Sequence, residues 1–351
     1  MVCHESCTSE CSWLTGTPGV DDDSCYEIRP APGKGLGVFA TKFIPAGTLI
    51  LSENALFIIK KPSDFITEQD VVLGYNKLSA DEKRIFDQMR DSKAEAGLNP
   101  FNFKSGRFHA NKFAVNHERT SFGCFPVSSR FNHSCLPNTV GSGDDIKQHQ
   151  QCRAINNIQP GEELTTYYFE ECQFMTTEER TKEMPMTGHV QKCVCELCSR
   201  PAGARLVSDM RRFLLRQLIY MVHGCDLRSV TSTMTAKAIE NANWRRENLK
   251  EVGATLHMFL IGKLCDAEGV VGGNIPFSVY GSAAHLVIRR ARQLGLCRLT
   301  KPALENVRVW TKRSKDLLTL FCGRDGNEES PYGDLLRLVN DLPDDGRLPE
   351  E

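Results

Sequence analysis

The most informative segment of the chain is Arg130-Phe131-Asn132-His133-Ser134-Cys135-Leu136-Pro137-Asn138. Its asparagine, histidine and serine side chains can all donate hydrogen bonds, and Pro137 stiffens the exit from the turn. His133 and Cys135 do not indicate a thiol protease, because a nucleophile and its base normally come from separate segments that meet in space. A functional segment and a buried, hydrogen-bonded turn remain the two interpretations of these residues.

A cysteine cluster follows further along the chain, in Cys193-Val194-Cys195-Glu196-Leu197-Cys198. Three thiols this close can converge on one tetrahedral zinc ion, because thiolates are good zinc ligands. The alternative is three unligated surface cysteines, which a cytosolic protein seldom keeps so close together. A tetrahedral site needs a fourth ligand, for which the chain offers Cys135, Cys172, His189 or another thiol. We expect this zinc to support folding rather than activity.

A glycine-rich stretch, Gly33-Lys34-Gly35-Leu36-Gly37, leads into the strand-like Val38-Phe39-Ala40. Glycine lets the backbone approach a ligand closely, although a tight hairpin turn is the default interpretation. The stretch is not a dinucleotide-binding fingerprint, because a strand follows it rather than a helix.

A pair of tyrosines, Tyr167-Tyr168, ends an apparent strand that begins near Gly161-Glu162-Glu163. Paired aromatic residues in a strand usually serve packing. The tyrosines alone therefore do not indicate catalysis.

Together and in this order, the four stretches resemble the SET-domain protein-lysine methyltransferases, and most closely the SET-and-MYND branch and related fungal SET proteins. The glycine stretch resembles the family's cofactor loop, and residues 130–138 resemble its central signature. Residues 161–168 resemble the strand that bears its tyrosine, and residues 193–198 resemble its post-SET segment. The combination is far more specific than any one part. The MYND zinc finger is not expected, since the stretch after Ala55 lacks its paired cysteines.

The resemblance implies which residues bind the methyl donor S-adenosylmethionine: Lys34, Gly35, Gly37, Asn132 and His133. It also implies that Tyr168 is the catalytic residue. Methyl transfer needs a neutral lysine amine, whereas a free lysine has a pKa of about 10.4. A positive sulfonium and a dry aromatic channel both disfavour the charged form of the substrate lysine. Tyr168 would then orient the amine.

The resemblance further joins the signature cysteine to the post-SET cysteines on one zinc ion. The implied zinc ligands are Cys135, Cys193, Cys195 and Cys198. One departure from the family pattern is Gln191, where relatives often carry an aromatic residue that can stack on adenine. This departure bears on the affinity for the cofactor.

The fold implied is α+β, a β-rich SET fold with a pseudoknot, in which the carboxyl-terminal signature threads a loop beside Asn132-His133. We assign residues 26–171 to the SET domain, with a helical insert at about 60–121, and residues 172–201 to a zinc-binding post-SET segment. Residues 202–351 form a predicted helical carboxyl-terminal domain.

Residues 1–25 are expected to be a polar amino-terminal arm. This arm contains Cys3, His4, Cys7, Cys11 and Cys25. No second pair of ligands completes a zinc pattern there, so an arm is favoured over a second metal site.

Local patterns predict the helices. Ser79 with Glu82 and Thr176 with Glu179 form capping boxes, and apolar residues recur at helical spacing beyond Pro201. Helices are predicted over residues 235–265, 277–295 and 303–321, with a last one that starts near Pro331.

Composition narrows the class of protein. The 351 residues carry a formal net charge of -1, which gives no support to nucleic-acid binding through a basic surface. The first thirty residues lack the basic start and following apolar run of a secretory signal, so we do not expect one. No apolar stretch of the sequence is long enough to span a bilayer. The fifteen cysteines are therefore expected to be reduced. We interpret Cys225, Cys265, Cys297 and Cys322 as core residues.

We therefore expect an intracellular enzyme, of the nucleus or the cytoplasm, that methylates lysines of a histone or another protein. A catalytically silent SET fold that serves as a zinc-stabilised binding scaffold is the alternative. A zinc protein that binds nucleic acid is a third interpretation, which the net charge disfavours. No pattern in the sequence indicates the oligomeric state.

Overall fold

The computed structural model describes residues 24–95, 97–99, 101–116, 119–144, 149–186, 190, 192–223, 251–271, 274–322, 337–339 and 341–348. Several residues discussed above lie outside this part of the chain, namely Cys3, His4, Cys7, Cys11, His189, Gln191, Cys225 and Pro331. Within the described residues, no helix is both long enough and apolar enough to cross a membrane.

Short strands dominate the first half of the chain. They are β1 (Tyr26–Ala31), β2 (Gly35–Ala40), β3 (Leu49–Asn54), β4 (Ile58–Ile59), β5 (Lys112–Ala114), β6 (Phe122–Cys124), β7 (Asn132–His133), β8 (Thr139–Asp144), β9 (His149–Ala154) and β10 (Glu163–Thr166). Four helices lie between β4 and β5: α1 (Glu68–Asn76), α2 (Ala80–Gln88), α3 (Ser92–Glu95) and α4 (Lys104–Asn111).

Helices dominate the second half. They are α5 (Thr177–Met186), α6 (Glu196–Ser199), α7 (Ala202–His223), α8 (Glu251–Glu268), α9 (Asn274–Gln293) and α10 (Lys301–Cys322). The predicted α+β class is confirmed. The chain forms two compact units, a β-rich unit whose last strand is β10 and a helical unit that contains α7 to α10.

The sheet that organises the β-rich unit has the strand order β1-β2-β10-β7. β1 and β2 form an antiparallel hairpin, and β10 continues the sheet antiparallel to β2, with Leu164 opposite Val38. On its other side β10 pairs in parallel with β7, so that Thr165 lies opposite Asn132 and Thr166 opposite His133. Two further sheets have the orders β3-β9-β8 and β4-β6-β5.

The core of the β-rich unit explains this arrangement. Val38 and Leu164 are both fully buried, and Phe131 is buried beside them. Ile44 and Ile158 belong to the same core and pair through their backbones. Burial of these side chains stabilises the sheet through the hydrophobic effect. Because Phe131 is a core residue, the signature residues 132–138 begin directly after a fixed point of the core.

The helices between β4 and β5 form a small domain insert with its own core. The predicted capping box of α2 is confirmed, because the Ser79 hydroxyl accepts the backbone N–H of Glu82 and the Glu82 carboxylate accepts that of Ser79. Phe86 and Phe108 are fully buried, and Phe122 of β6 packs into the same cluster. The insert is therefore attached to the β-rich unit through β6, which pairs with both β4 and β5.

In the helical unit, α7 packs against α8, α8 against α9 and α9 against α10. The predicted helices over residues 277–295 and 303–321 correspond to α9 and α10, and the predicted helix over 235–265 overlaps α8. Cys265 is buried in the core of this unit, as predicted. The prediction for Cys297 is wrong, because this residue is exposed in the segment that follows α9.

Candidate functional site

The turn between β1 and β2 carries Lys34 between two glycines that adopt a left-handed backbone conformation. Gly33 and Gly35 have φ values of 72° and 81°, the left-handed region that glycine adopts without steric cost. The backbone N–H of Lys34 donates to the carbonyl of Ala31 at 3.0 Å, which closes the turn. Lys34 therefore lies at the tip of the hairpin.

The carboxylate of Glu163, the first residue of β10, lies at the centre of the site. Its Oε2 accepts a hydrogen bond from Lys34 Nζ at 2.6 Å, and its Oε1 accepts one from Asn132 Nδ2 at 2.8 Å. Asn132 Nδ2 also donates to the carbonyl of Leu36 at 3.0 Å, and the asparagine is only 7% exposed. Lys34 and Asn132, 98 residues apart by number (132 − 34), are thus joined through one side chain.

Gly37 leaves the space that this arrangement needs. A Cβ at position 37 would lie 2.9 Å from Glu163 Oε1 and 3.0 Å from Asn132 Nδ2. Both distances are too short for unstrained contacts, so a larger residue would displace the polar pair. Three of the five residues predicted to bind the cofactor, Lys34, Gly37 and Asn132, therefore meet at Glu163.

The segment after β7 holds β10 through side chains as well as through strand pairing. Asn138 Nδ2 donates to the Glu163 carbonyl at 2.9 Å, and the Thr165 N–H donates to Asn138 Oδ1 at 2.8 Å. Thr139 Oγ1 donates to the Thr165 carbonyl, and the Ser134 N–H donates to the Thr166 carbonyl. These contacts on both sides of one short strand are those expected of the pseudoknot.

Tyr168, the predicted catalytic residue, follows β10 by two positions and is half-buried in a bend. The strand that precedes it, β10, is fixed beside the signature, because Thr166 lies opposite His133. The pairing of β10 therefore sets where the chain leaves the sheet towards Tyr168.

Four cysteine sulfur atoms come together at the predicted metal site. The Sγ atoms of Cys135, Cys193, Cys195 and Cys198 all lie within 4.8 Å of one another. A tetrahedral zinc ion with bonds of about 2.3 Å places its sulfur ligands about 3.8 Å apart, so the residues fit this metal. Among the described residues, Cys172 does not belong to the group. Burial raises the pKa of Cys172 to about 12, which favours the neutral thiol over the thiolate that a metal binds.

His133 contacts a neighbouring cysteine of the signature. Its Nε2 is 3.3 Å from the sulfur of Cys135, and both side chains are buried. The predicted cofactor residue and the predicted zinc ligand therefore contact each other directly.

A second buried carboxylate, Glu53 of β3, supports the approach to the signature. It accepts the backbone N–H groups of Val127 and Ser128 at 2.7 and 2.8 Å, and the Ser128 hydroxyl at 2.7 Å. Burial raises the pKa of Glu53, and these hydrogen bonds oppose the rise because they favour the ionised form. Glu53 was not predicted as a functional residue, because nothing near it in the sequence indicates the turn that it binds.

The sequence of the β-rich unit matches a known family. Residues 35–169 match the family model described as SET domain. Residues 35–169 form a SET domain. The SET fold predicted from the four stretches is thereby confirmed, whereas the SET-and-MYND branch stays a prediction.

Two curated proteins are similar to about half of the chain. Histone-lysine N-methyltransferase set5 of Schizosaccharomyces pombe is 30% identical over 197 residues, which cover 56% of this chain and 56% of the relative. A SET domain-containing protein of Acanthamoeba polyphaga mimivirus is 25% identical over 193 residues, which cover 47% of this chain and 74% of the relative. The chain thus spans about half the length of the first relative.

A solved structure of a candidate histone methyltransferase from Plasmodium falciparum is also similar to the chain. Its identity is 15% and its TM-score is 0.26. The match covers 42% of this chain and 94% of that chain.

Proposed function

We propose that this chain is an S-adenosylmethionine-dependent protein-lysine N-methyltransferase that acts on lysines of a histone or another protein. The observation that carries the proposal is the meeting of Lys34, Gly37 and Asn132 at Glu163, within a SET domain. The relative named as a histone-lysine N-methyltransferase supports lysine as the acceptor. A histone substrate would favour the nucleus over the cytoplasm as the location.

The residues proposed to hold S-adenosylmethionine are Lys34, Gly35, Gly37, Asn132 and His133. This molecule supplies a methyl group on a positively charged sulfur, which an amine can attack. The chain supplies an ammonium at Lys34 and an amide at Asn132, which suit an amino-acid-like ligand with a carboxylate and an amino group. The absence of a side chain at Gly37 leaves room for Glu163 and Asn132 beside the backbone.

Tyr168 is the proposed catalytic residue. A substrate lysine must lose its proton before its amine can attack, and a dry environment favours that loss because burial disfavours the ammonium form. The hydroxyl oxygen of Tyr168 would accept a hydrogen bond from the amine N–H, which fixes the direction of the amine and leaves its lone pair free to attack. Correct orientation of two reacting groups accounts for a large part of enzymatic acceleration.

The proposed zinc ligands are Cys135, Cys193, Cys195 and Cys198. Zinc bound by four thiolates has no open position for substrate, so its contribution is to the folded structure. Because Cys135 contacts His133, the ion would hold the signature in place from one side.

The experiment that tests the proposed function measures the transfer of labelled methyl groups from S-adenosylmethionine to histones and to a cell lysate. Tyr168→Phe should lower the rate about a hundredfold or more, since it removes the group that orients the amine. Tyr167→Phe is the matched control, with the same chemical change one residue earlier, and should retain most of the activity. Calorimetry should show that both variants still bind the cofactor.

Other outcomes would contradict the proposal. Failure of the wild-type protein to bind the cofactor would favour the binding-scaffold alternative, whereas cofactor binding without labelling would point to a substrate or partner that the assay lacks. Equal losses in Tyr167→Phe and Tyr168→Phe would reject the assignment of Tyr168.

A further inference from the structure

The side chain of Glu163 is held on two sides by other residues of the site. Its side chain is 19% exposed and accepts hydrogen bonds through both carboxylate oxygens, each from a different residue. Its backbone is fixed as well, because its carbonyl accepts the Asn138 amide and its strand lies between β2 and β7. The carboxylate is therefore a rigid acceptor.

The two donors are attached to different parts of the chain. Lys34 extends from the hairpin turn and has a long, flexible side chain, whereas Asn132 belongs to β7. Holding a lysine side chain in one geometry costs conformational entropy, which a short charge-assisted hydrogen bond at 2.6 Å offsets. The partly buried location strengthens this interaction relative to one in open solvent.

The Glu163 carboxylate lies close to the backbone of β2 at Gly37. Oε1 lies where it would touch any Cβ at position 37, at 2.9 Å, so the hairpin accommodates the carboxylate only with glycine there. The Glu163 carboxylate thus contacts Lys34 and Asn132, and Gly37 leaves the room that it needs.

We propose that Glu163 is the positioning residue of the cofactor site, which holds the Lys34 ammonium and the Asn132 amide in the geometry that the cofactor requires. This inference rests on the proposed function. Glu163 itself is not proposed to contact the cofactor or the substrate. Its effect passes through the two side chains that it orients.

The variant Glu163→Gln separates the two contacts. Its amide oxygen can still accept from Asn132, but the negative charge that holds Lys34 is lost. We expect the Kd of S-adenosylmethionine, measured by calorimetry, to rise about tenfold, the effect of losing one charge-assisted hydrogen bond. The value of kcat at saturating cofactor should change less than threefold, because Tyr168 is unaffected. Glu162→Gln is the matched control, since the exposed carboxylate of Glu162 accepts the backbone N–H of Gln159 rather than a side chain of the site.

A double-mutant cycle tests whether Glu163 acts through Lys34. Lys34→Met should also weaken cofactor binding, and adding Glu163→Gln to it should cause little further loss. Additive losses would mean that Glu163 acts by another route and would overturn the proposal.

Hydrogen exchange of the cofactor-free protein gives a readout that does not depend on activity. In Glu163→Gln, amides of residues 31–38 should exchange about tenfold faster than in the wild type and in Glu162→Gln. Unchanged exchange, or faster exchange with an unchanged Kd, would overturn the proposal. Failure of the wild-type protein to bind S-adenosylmethionine would contradict the proposed function instead, and the exchange rates would still show whether Glu163 holds the turn.

Discussion

Two glycines in β2 show how single residues shape the site for different reasons. Gly35 has a φ of 81°, and nothing lies within 4 Å of where its Cβ would be. Gly37 has no unusual φ, but three atoms crowd its Cβ position. One glycine is therefore required by backbone conformation and the other by space.

This difference gives a prediction for the two alanine variants. Gly35→Ala should lower the free energy of unfolding by about 1 kcal/mol, the cost of a left-handed alanine, and should weaken cofactor binding less than Gly37→Ala does, because no atom crowds its Cβ position. Gly37→Ala should displace Glu163 and Asn132 and weaken cofactor binding about tenfold, at a cost in stability of about 1–3 kcal/mol. Calorimetry and urea denaturation measure the two effects. Equal cofactor affinity in both variants would argue against the crowding at Gly37.

At this scale the sequence suggested candidate members of the site but not the contacts between them. Lys34, Gly37 and Asn132 were assigned by resemblance, and the structure brings them together. The joining residue, Glu163, was visible in its motif but had no assigned role. Its partners lie 129 and 31 positions away, and a sequence pattern carries no information on contacts at such separations.

Among the elements, α7 and α8 are joined by a buried ion pair. Arg212 Nε donates to Glu268 Oε2 at 3.2 Å, and the two side chains are 0% and 3% exposed. Arg212 Nη1 also donates to the carbonyls of Cys172 and Gln173, in the segment that leads from Tyr168 to α5. Ser208 Oγ donates to the same Glu268 oxygen at 2.5 Å. The pair therefore attaches this segment to the helices.

Replacing Arg212 should show the cost of breaking such a pair. Arg212→Met would leave Glu268 buried without its main partner, and we expect a loss of about 3–5 kcal/mol in the free energy of unfolding. Arg211→Met is the matched control, because Arg211 bonds the same glutamate at 3.3 Å but its side chain is 43% exposed. Its loss should be at most about 1 kcal/mol. Urea denaturation followed by circular dichroism measures both, and similar losses would contradict the buried role of Arg212.

The helices themselves were predictable because their signals are local. The capping boxes at Ser79 and Thr176 form as their sequences predict, and the apolar spacing located α9 and α10 within a few residues. Cys297 was assigned to the core in error because it follows an apolar, helix-like run. The helix ends before Gly295, whose φ of 67° lets the chain turn away, so Cys297 is left exposed.

For the whole molecule, the proposed zinc site predicts a measurable stoichiometry of zinc to protein. Cys135→Ser should remove one zinc ion per chain relative to the wild type, as determined by elemental analysis, and lower the melting temperature by on the order of 10 °C. Cys297→Ser, the same substitution at an exposed cysteine outside the cluster, should change neither value. A Cys135→Ser protein with the wild-type zinc content would rule out Cys135 as a ligand.

The position of β10 has a consequence for how the protein is made. On the ribosome, β2 is complete long before β10 is synthesised, and β7 also emerges ahead of its partner. Until Glu163–Thr166 arrives, each of these strands offers an open edge, the feature through which nascent chains associate with one another. The strand that completes the proposed cofactor site would thus also cover these edges, so we expect the nascent chain to be most prone to association, and to binding by chaperones, before β10 is translated.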